Sequence, residues 1–250
     1  MTTRIVLLGA SNLTMSLPTV LATAASLAGP DPLEFFVAAG HGRCYGRWSR
    51  VLVRGLPSIL DCGLWPATRD AAPARTFALV TDVGNDVPSG AAPAALAGWI
   101  DACLTRLGEL GADTVLTLLP AASLERLPPW RYHLFKALVF PGRRLPFPVM
   151  RRRLTEVNVR LAELAARRGV KVVEPRAGWY RADAIHLGRR QRTAVWQAIL
   201  SGWETTGNGH PPGSLACRGL APEWQTLCGL SRRRPQPSGV LPDGTRISLF

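Results

Sequence analysis

The organisation of the chain is set near its beginning, by the stretch Ile5-Val6-Leu7-Leu8-Gly9-Ala10-Ser11-Asn12-Leu13-Thr14. A continuous apolar run that ends at a glycine is typical of a buried strand followed by a turn. Apolar residues then recur at helical spacing until Gly29-Pro30 ends the pattern. Ser11 is therefore expected on a strand-to-helix turn, which is a good place for a nucleophile and also a common place for a plain turn serine.

The same unit of strand and helix recurs along the chain. Further strands are predicted at 33–39, 76–81, 114–119 and 170–173, and helices at 92–108, 151–168 and around 195–203. The apolar spacing over residues 48–56 predicts another helical face, and residues 57–75 are expected to be a connection with an edge strand at Ile59-Leu60. This alternation predicts a parallel sheet covered by helices on both faces.

Two segments break this rhythm. Residues 121–150 are rich in proline and in aromatic residues interleaved with basic ones. They fit either a lid that contacts an acyl chain or an anionic surface, or an insertion whose aromatic residues pack on the core while its arginines stay solvated, which is the more common arrangement. Glycine and proline dominate from Thr205, so we expect a core domain over 1–204 and a Pro/Gly-rich C-terminal extension over 205–250, with a hairpin around Asp243-Gly244.

Composition limits the class of protein. The chain has 250 residues, of which 47% are hydrophobic, and this is enough for one α/β domain with a sizeable core. Lys and Arg number 30 against 17 Asp and Glu, which gives a formal charge of +13, and nearly all of the basic residues are arginine. Such a charge favours weak contact with anionic surfaces by long-range steering, although a GC-rich genome also produces an arginine bias. No motif typical of specific nucleic-acid binding is present.

Cysteine usage and the N-terminal sequence indicate a compartment. The cysteines are odd in number and show no spacing suited to zinc, which favours free thiols in a reducing environment: Cys44, Cys62, Cys103, Cys217 and Cys228. The N-terminus runs directly into the first strand without the regions of a signal peptide, and no segment reaches the apolar length of a membrane span. We therefore expect a cytoplasmic protein.

Several chemically useful residues follow the predicted strands. The first strand leads to Ser11, the second to Gly40 and Gly42, and the third to Asn85, while the loop after the fifth contains Asp183 and His186. In parallel α/β sheets the loops at the carboxyl ends of the strands converge, and ligand sites form there. A serine, a histidine and a carboxylate, with glycine and asparagine as donors, are thus expected on one rim of the sheet.

With this set of residues the chain resembles the SGNH/GDSL hydrolases, esterases and lipases defined by Ser, Gly, Asn and His in separate sequence blocks. The resemblance spans roughly residues 4–203 and rests on four segments in the family's order: Gly9-Ala10-Ser11-Asn12, Gly40-His41-Gly42, Gly84-Asn85-Asp86 and Asp183-Ala184-Ile185-His186-Leu187. It implies a flavodoxin-like three-layer αβα sandwich with a mainly parallel five-stranded sheet, and it makes 1–204 the hydrolase domain. It also implies hydrolysis of an ester without a metal or another cofactor.

The resemblance further implies a Ser-His-Asp triad. Ser11 would attack the ester carbonyl, His186 would act as general base and then as general acid, and Asp183 would hold the imidazole in its useful tautomer. The i, i+3 spacing lets Asp183 reach the ring nitrogen that is turned away from the serine. The family's usual aspartate before the nucleophile is Ala10 here, and Asn12 is the residue available to orient the serine turn in its place.

An oxyanion hole belongs to the same chemistry. The Ser11 N–H, the Gly42 N–H and the Asn85 side-chain amide would hold the negative oxygen of the tetrahedral intermediate. The second block lacks a clean pattern, so Gly40 and Gly46 are alternatives to Gly42, which we favour.

The leading functional hypothesis is a serine-dependent carboxylester hydrolase acting on a small acyl ester. Two alternatives remain, an O-acyltransferase that uses the same triad and a catalytically silent binding protein on the same fold. Asp82 and Asp86, which flank the third block, are expected to be structural. The sequence leaves open the substrate, the acyl-chain length and the oligomeric state.

Overall fold

The computed structural model describes residues 2–29, 31–51, 54–131, 146–205, 224–227, 230–233, 238–241 and 243–250. Within them the strands are β1 (Thr3–Leu8), β2 (Leu33–Ala38), β3 (Ser49–Val51), β4 (Arg54–Leu56), β5 (Arg75–Val80), β6 (Asp113–Thr117), β7 (Lys171–Val173), β8 (Trp224–Leu227), β9 (Leu230–Arg233), β10 (Ser238–Val240) and β11 (Arg246–Leu249). The helices are α1 (Ser11–Ala28), α2 (Leu64–Asp70), α3 (Pro93–Glu109), α4 (Ala121–Glu125), α5 (Phe147–Arg168) and α6 (Arg192–Leu200).

The central sheet has the order β10-β11-β2-β1-β5-β6-β7. Five neighbouring strands of this sheet, β2-β1-β5-β6-β7, are all parallel. This confirms the predicted parallel sheet and its flavodoxin-like order. The sheet is nevertheless wider than the five strands expected. β11 pairs in parallel with β2, and β10 pairs antiparallel with β11, so the C-terminal segment extends the sheet to seven strands.

Helices cover both faces of the sheet, as predicted. Ile5 and Leu7 of β1 pack in one apolar cluster with α1 and α6, whereas Val6 and Leu8 pack in a second cluster with α3 and α5. Successive side chains of a strand point to opposite faces, so a strand buried on both sides needs an uninterrupted apolar run. This is why the opening stretch does not alternate with polar residues.

Two local predictions are wrong. Residues 48–56 form no helix, because Ser49–Val51 and Arg54–Leu56 pair as an antiparallel hairpin, and β8 and β9 extend it to a small four-stranded sheet. Gly55 allows this arrangement, since a Cβ there would lie 2.9 Å from Nε1 of Trp48. The predicted edge strand at Ile59-Leu60 is instead a turn, and α2 follows it.

The end of the chain contains the predicted hairpin. The Leu241 N–H donates to the Thr245 carbonyl (2.8 Å), and Gly244 has the positive φ of +84° that the turn requires.

The domain boundary between residues 204 and 205 stays a prediction, although part of the C-terminal extension joins the central sheet. The segment 132–145, which is a little under half of the proposed lid or insertion, lies outside the described residues. None of the helices in the described part of the chain is long and apolar enough to cross a membrane.

Candidate active site

Three of the predicted site residues, Ser11, Gly42 and Asn85, follow adjacent strands whose carboxyl ends lie in register. Leu8, the last residue of β1, pairs with Ala38 of β2 on one side and with Val80 of β5 on the other. Ser11 is the first residue of α1, directly after β1. The loops after β2 and β5, which carry Gly42 and Asn85, therefore leave the sheet on both sides of the Ser11 turn.

One small cavity connects the serine to the third and fourth blocks. It has a volume of about 120 Å³, and Ser11, Asn85 and Asp183 are among the residues that line it. Its remaining wall is largely apolar and comes from the ends of β5 and β6 and from α4 and α5, through Val83, Leu118, Leu119, Leu124, Leu127, Met150 and Leu154. The cavity thus places a hydroxyl group beside an apolar pocket.

Asp183 and His186 form the predicted pair. Oδ2 of Asp183 lies 3.0 Å from Nδ1 of His186, and Oδ1 accepts the backbone N–H groups of His186 (2.9 Å) and Ile185 (3.1 Å). Burial opposes ionisation of this carboxyl group, but the hydrogen bonds from His186 and Ile185 outweigh it and lower the pKa of Asp183 to about 2. The carboxylate therefore stays ionised and holds the ring with Nε2 directed away from it.

A tight loop fixes this pair. The Arg181 N–H donates to the His186 carbonyl (2.8 Å), and Tyr180 and Leu187 form an isolated antiparallel bridge. Ala184 adopts a positive φ of +65° at the tip. The three-residue spacing from Asp183 to His186 is thus part of a closed turn, and both side chains lie on it as the sequence predicts.

The serine turn is held by the segment that follows β5. Oδ2 of Asp82 accepts the backbone N–H groups of Ala10 and Leu13, each at 3.0 Å, and its Oδ1 accepts Nδ2 of Asn12 at 2.9 Å. Gly9 allows the close approach of these segments, because a Cβ there would lie 2.8 Å from Cγ2 of Thr81. Asp82 was expected to be structural, and its contact with the turn on both sides of Ser11 could not be inferred from the sequence.

Asn12 also binds the loop of the histidine. Its Nδ2 donates to the Ile185 carbonyl (2.9 Å), and its Oδ1 accepts the Leu187 N–H (2.9 Å). The two bonded residues are the neighbours of His186 on either side. Asn12 is 8% exposed, and these bonds satisfy the amide on both its oxygen and its nitrogen.

The three glycines proposed for the oxyanion hole have different surroundings. A Cβ on Gly40 would lie 2.3 Å from Cδ1 of Leu56, and one on Gly46 would lie 2.0 Å from Cδ2 of Trp99, so close packing accounts for both. Gly42 has a φ of +68°, a conformation that favours glycine for backbone reasons, and it is half-buried. Nδ2 of Asn85 lies 3.5 Å from the carbonyl oxygen of Arg43, next to Gly42. The choice of Gly42 among the three stays a prediction.

Buried polar residues hold the Gly42 loop. The carboxylate of Asp86 is fully buried and accepts the Tyr45 N–H at 3.0 and 3.2 Å, and burial raises its pKa to about 6. The Tyr45 hydroxyl contacts the carbonyl oxygens of Thr81 (2.6 Å) and Leu8 (3.0 Å). Tyr45 thereby connects the loop after β2 to the ends of β5 and β1.

Arg43 is the second such residue. Its side chain is fully buried, and its guanidinium donates to the carbonyl oxygens of Pro57 (3.1 Å), Ala39 (3.3 Å) and Phe250. Burial lowers the pKa of this guanidinium. A buried arginine in a glycine-rich loop has no local sequence signal, so its role was not predicted.

The other potential ligand sites contain none of the predicted residues. Among the described residues there is no group of three His, Cys, Asp or Glu side chains that could hold a metal ion. A larger open groove of about 1050 Å³ lies between α2 and α3 and includes Arg4 at the start of β1, which is the opposite end of the sheet from Ser11. Cys44, Cys62 and Cys103 are buried free thiols, while Cys217 and Cys228 lie outside the described residues.

Comparison with known proteins gives a fold and no close relative. No protein-family model and no curated protein sequence matches the chain. Among solved structures it is similar to an aryl esterase of M. smegmatis, with 16% identity, 79% of this chain and 97% of that chain covered, and a TM-score of 0.52. It is also similar to Est24, a carbohydrate acetylesterase from Sinorhizobium meliloti, with 16% identity, the same two coverages and a TM-score of 0.50. The chain thus shares the fold of these two proteins, which confirms the predicted three-layer αβα architecture.

Proposed function

We propose that this protein is a serine-dependent carboxylester hydrolase. The observation that carries the proposal is the arrangement at one apolar cavity: Ser11, Asn85 and Asp183 line it, and Asp183 is hydrogen-bonded to His186. The similar solved structures support it, since two of them are an aryl esterase and a carbohydrate acetylesterase. The proposed chemistry requires only side chains and backbone groups of the chain.

The proposed reaction has two steps. The Oγ of Ser11 attacks the ester carbonyl while Nε2 of His186 takes its proton, and the resulting imidazolium is stabilised by the ionised Asp183. The tetrahedral oxyanion is held by the N–H groups of Ser11 and Gly42 and by the amide of Asn85. Collapse breaks the bond to the alcohol, which leaves with the proton from His186. A water molecule then repeats the sequence on the acyl-enzyme, releases the acid and restores Ser11.

The cavity indicates which part of the substrate binds there. Its wall beyond Ser11 consists of aliphatic side chains, among them Leu119, Leu124 and Leu154. Leu119 is fixed in place because Asn158 bonds both its N–H (2.8 Å) and its carbonyl (3.0 Å). An aliphatic wall favours an acyl chain over a polar alcohol. We therefore propose that the acyl group occupies this cavity, and its small volume favours short chains.

Active-site labelling tests the proposal. A fluorophosphonate probe should modify Ser11 in the full chain, as read by mass spectrometry, and Ser11→Ala should remove both the label and the hydrolysis of a p-nitrophenyl ester. Ser26→Ala is the matched control, because Ser26 lies on the same helix and bonds only to the Thr23 carbonyl of that helix among the contacts described. Modification of another residue, or unchanged hydrolysis by Ser11→Ala, would contradict the proposal. Product analysis with an added acceptor alcohol separates hydrolysis from acyl transfer.

A further inference from the structure

Asp82 and Asn12 connect the three segments that the proposed mechanism uses. Asp82 follows β5 and begins the turn of Asn85, Asn12 follows Ser11, and the bonds of Asn12 reach the loop of His186. We propose that Asp82 and Asn12 are positioning residues that align the Ser11 turn with the His186 loop. The proposal rests on the hydrolase function proposed above, but its test can fail separately.

The first part of the connection is the carboxylate of Asp82 at the start of α1. The Ala10 and Leu13 N–H groups that it accepts lie on the two sides of Ser11 in sequence. N–H groups in the first turn of a helix have no partner within the helix, and a carboxylate satisfies them both by hydrogen bonds and by its charge at the positive end of the helix. Ala10 itself supplies no side-chain cap. Asp82 thus fixes the backbone that carries the nucleophile.

The backbone of Asp82 supports a specific role for this side chain. Asp82 has φ +57° and ψ +31°, which is the left-handed conformation that glycine adopts most readily. For a residue other than glycine this conformation costs about 1 kcal/mol. Asparagine and aspartate tolerate it best, and the aspartate here also accepts three hydrogen bonds from another segment. The carboxylate therefore explains why aspartate occupies this position.

The second part of the connection is the amide of Asn12. One Nδ2 group donates both to Oδ1 of Asp82 and to the Ile185 carbonyl, while Oδ1 accepts the Leu187 N–H. These partners determine the orientation of the amide, because its oxygen must accept an N–H and its nitrogen must donate to two oxygens. Asn12 therefore holds the backbone on both sides of His186 from a position adjacent to Ser11.

The hydrogen bonds of Asp82 and Asn12 replace those of the aspartate that is missing before Ser11. The resemblance to SGNH/GDSL hydrolases implies an aspartate at the position of Ala10, and Asn12 was the predicted substitute. In the structure the Ala10 N–H instead donates to the carboxylate of Asp82, 72 positions away in sequence. Asn12 then hydrogen-bonds the loop that carries His186. Asp82 and Asn12 also line the cavity beside Ser11, but their side chains are engaged by the backbone and by each other, and the proposed effect is on the geometry of Ser11 and His186.

Substitution of Asp82 by asparagine tests the connection with little change in shape. The oxygen of the introduced amide can still accept the N–H groups of Ala10 and Leu13, but its NH₂ group faces Nδ2 of Asn12, and two donors then oppose each other. A misplacement of about 1 Å costs about 100-fold in rate. We expect Asp82→Asn to lower kcat and the rate of fluorophosphonate labelling of Ser11 by about 10- to 100-fold, with KM changed less than about twofold.

The reciprocal double variant provides the rescue. In Asp82→Asn/Asn12→Asp the carboxylate introduced at position 12 can accept both the NH₂ group introduced at position 82 and the Leu187 N–H, but it can no longer donate to the Ile185 carbonyl, so part of the lost rate should return. Asn12→Ala keeps the bonds of Asp82 to the helix start and removes the link to the His186 loop, so it should also slow labelling. The Asn12→Ala variant keeps the test decisive if Asp82→Asn folds poorly.

A control variant in the hydrophobic core separates a loss of stability from a loss of positioning. Ile100→Val shortens a fully buried side chain of α3 and should lower the melting temperature without changing kcat. If Asp82→Asn and Asn12→Ala are labelled at the wild-type rate, or if Ile100→Val loses as much kcat as they do, the positioning role is wrong. If the wild type itself is not labelled at Ser11, the hydrolase proposal fails instead, so the two failures are distinguishable.

Discussion

The buried carboxyl group of Asp86 makes stability depend on pH in an unusual direction. Asp86 is fully buried beneath the Gly42 loop, where it accepts the Tyr45 N–H with both oxygens. Burial raises its pKa from 3.8 to about 6, and the hydrogen bonds from the backbone N–H groups of Tyr45 and Gly46 offset only part of that effect. The perturbation we consider is Asp86→Asn, which removes the ionisation and keeps the size.

The expected magnitude follows from linkage between protonation and folding. A pKa that is about 2 units higher in the folded chain than in the unfolded chain corresponds to about 3 kcal/mol. Because the folded pKa is raised, this stabilisation is fully present below the unfolded pKa of 3.8 and is lost as the pH rises through about 6. Asp183 acts in the opposite sense and at lower pH. Its pKa is lowered to about 2, so its contribution is present above 3.8 and is lost as the pH falls through 2.

Chemical unfolding at pH 4, 5, 6 and 7 measures the effect. Relative to the wild type, Asp86→Asn should gain about 2 kcal/mol in the free energy of unfolding between pH 4 and pH 7, whatever its offset at pH 4, because part of the change already occurs below pH 4. Thr117→Val is the control, because it removes a buried hydrogen bond to Thr81 (2.8 Å) and no titrating group. If the curves of wild type and Asp86→Asn run parallel over this range, burial does not perturb Asp86 and the reasoning is refuted.

Two further predictions concern the proposed reaction. Asn85→Ala removes one oxyanion donor, so kcat should fall by about 100- to 1000-fold while the thermal unfolding curve stays close to that of the wild type; an unchanged kcat would exclude the amide from the oxyanion hole. Leu154→Trp fills the apolar cavity, so kcat/KM for p-nitrophenyl butyrate should fall more than for the acetate, and an equal change for both esters would contradict acyl binding there.

The parallel core could be predicted from the sequence because its signals are local. β1 is apolar on both faces since helices cover both, and α1 and α5 show helical spacing with a glycine after the last residue. The hairpin β3–β4 was not predicted, because apolar residues in a short segment fit either period. β11 was not expected beside β2, because pairing between segments some 210 residues apart leaves no pattern in either one.

The site shows the same division between local and long-range signals. Ser11 and Asn85 lie in the turns that follow β1 and β5, and Asp183 lies in the loop after β7; the rule for parallel sheets predicts that such residues come together, and these three line one cavity. The sequence predicts only that Asp82 is structural, because its specific role depends on which N–H groups lie opposite its carboxylate in the folded chain.

Arg43 connects the C-terminal strand β11, which widens the sheet, to the proposed site. Its guanidinium binds the Phe250 carbonyl, and the Phe250 N–H donates to the Val37 carbonyl of β2 (2.9 Å), so the C-terminal strand is attached both to the sheet and to the loop after it. The backbone carbonyl of the same arginine lies 3.5 Å from the amide of Asn85. A buried guanidinium is tolerated only where carbonyl oxygens replace its water, and three surround this one. The C-terminal segment therefore supplies part of the polar shell that keeps the Gly42 loop beside Asn85, and its contribution extends beyond covering the edge of β2.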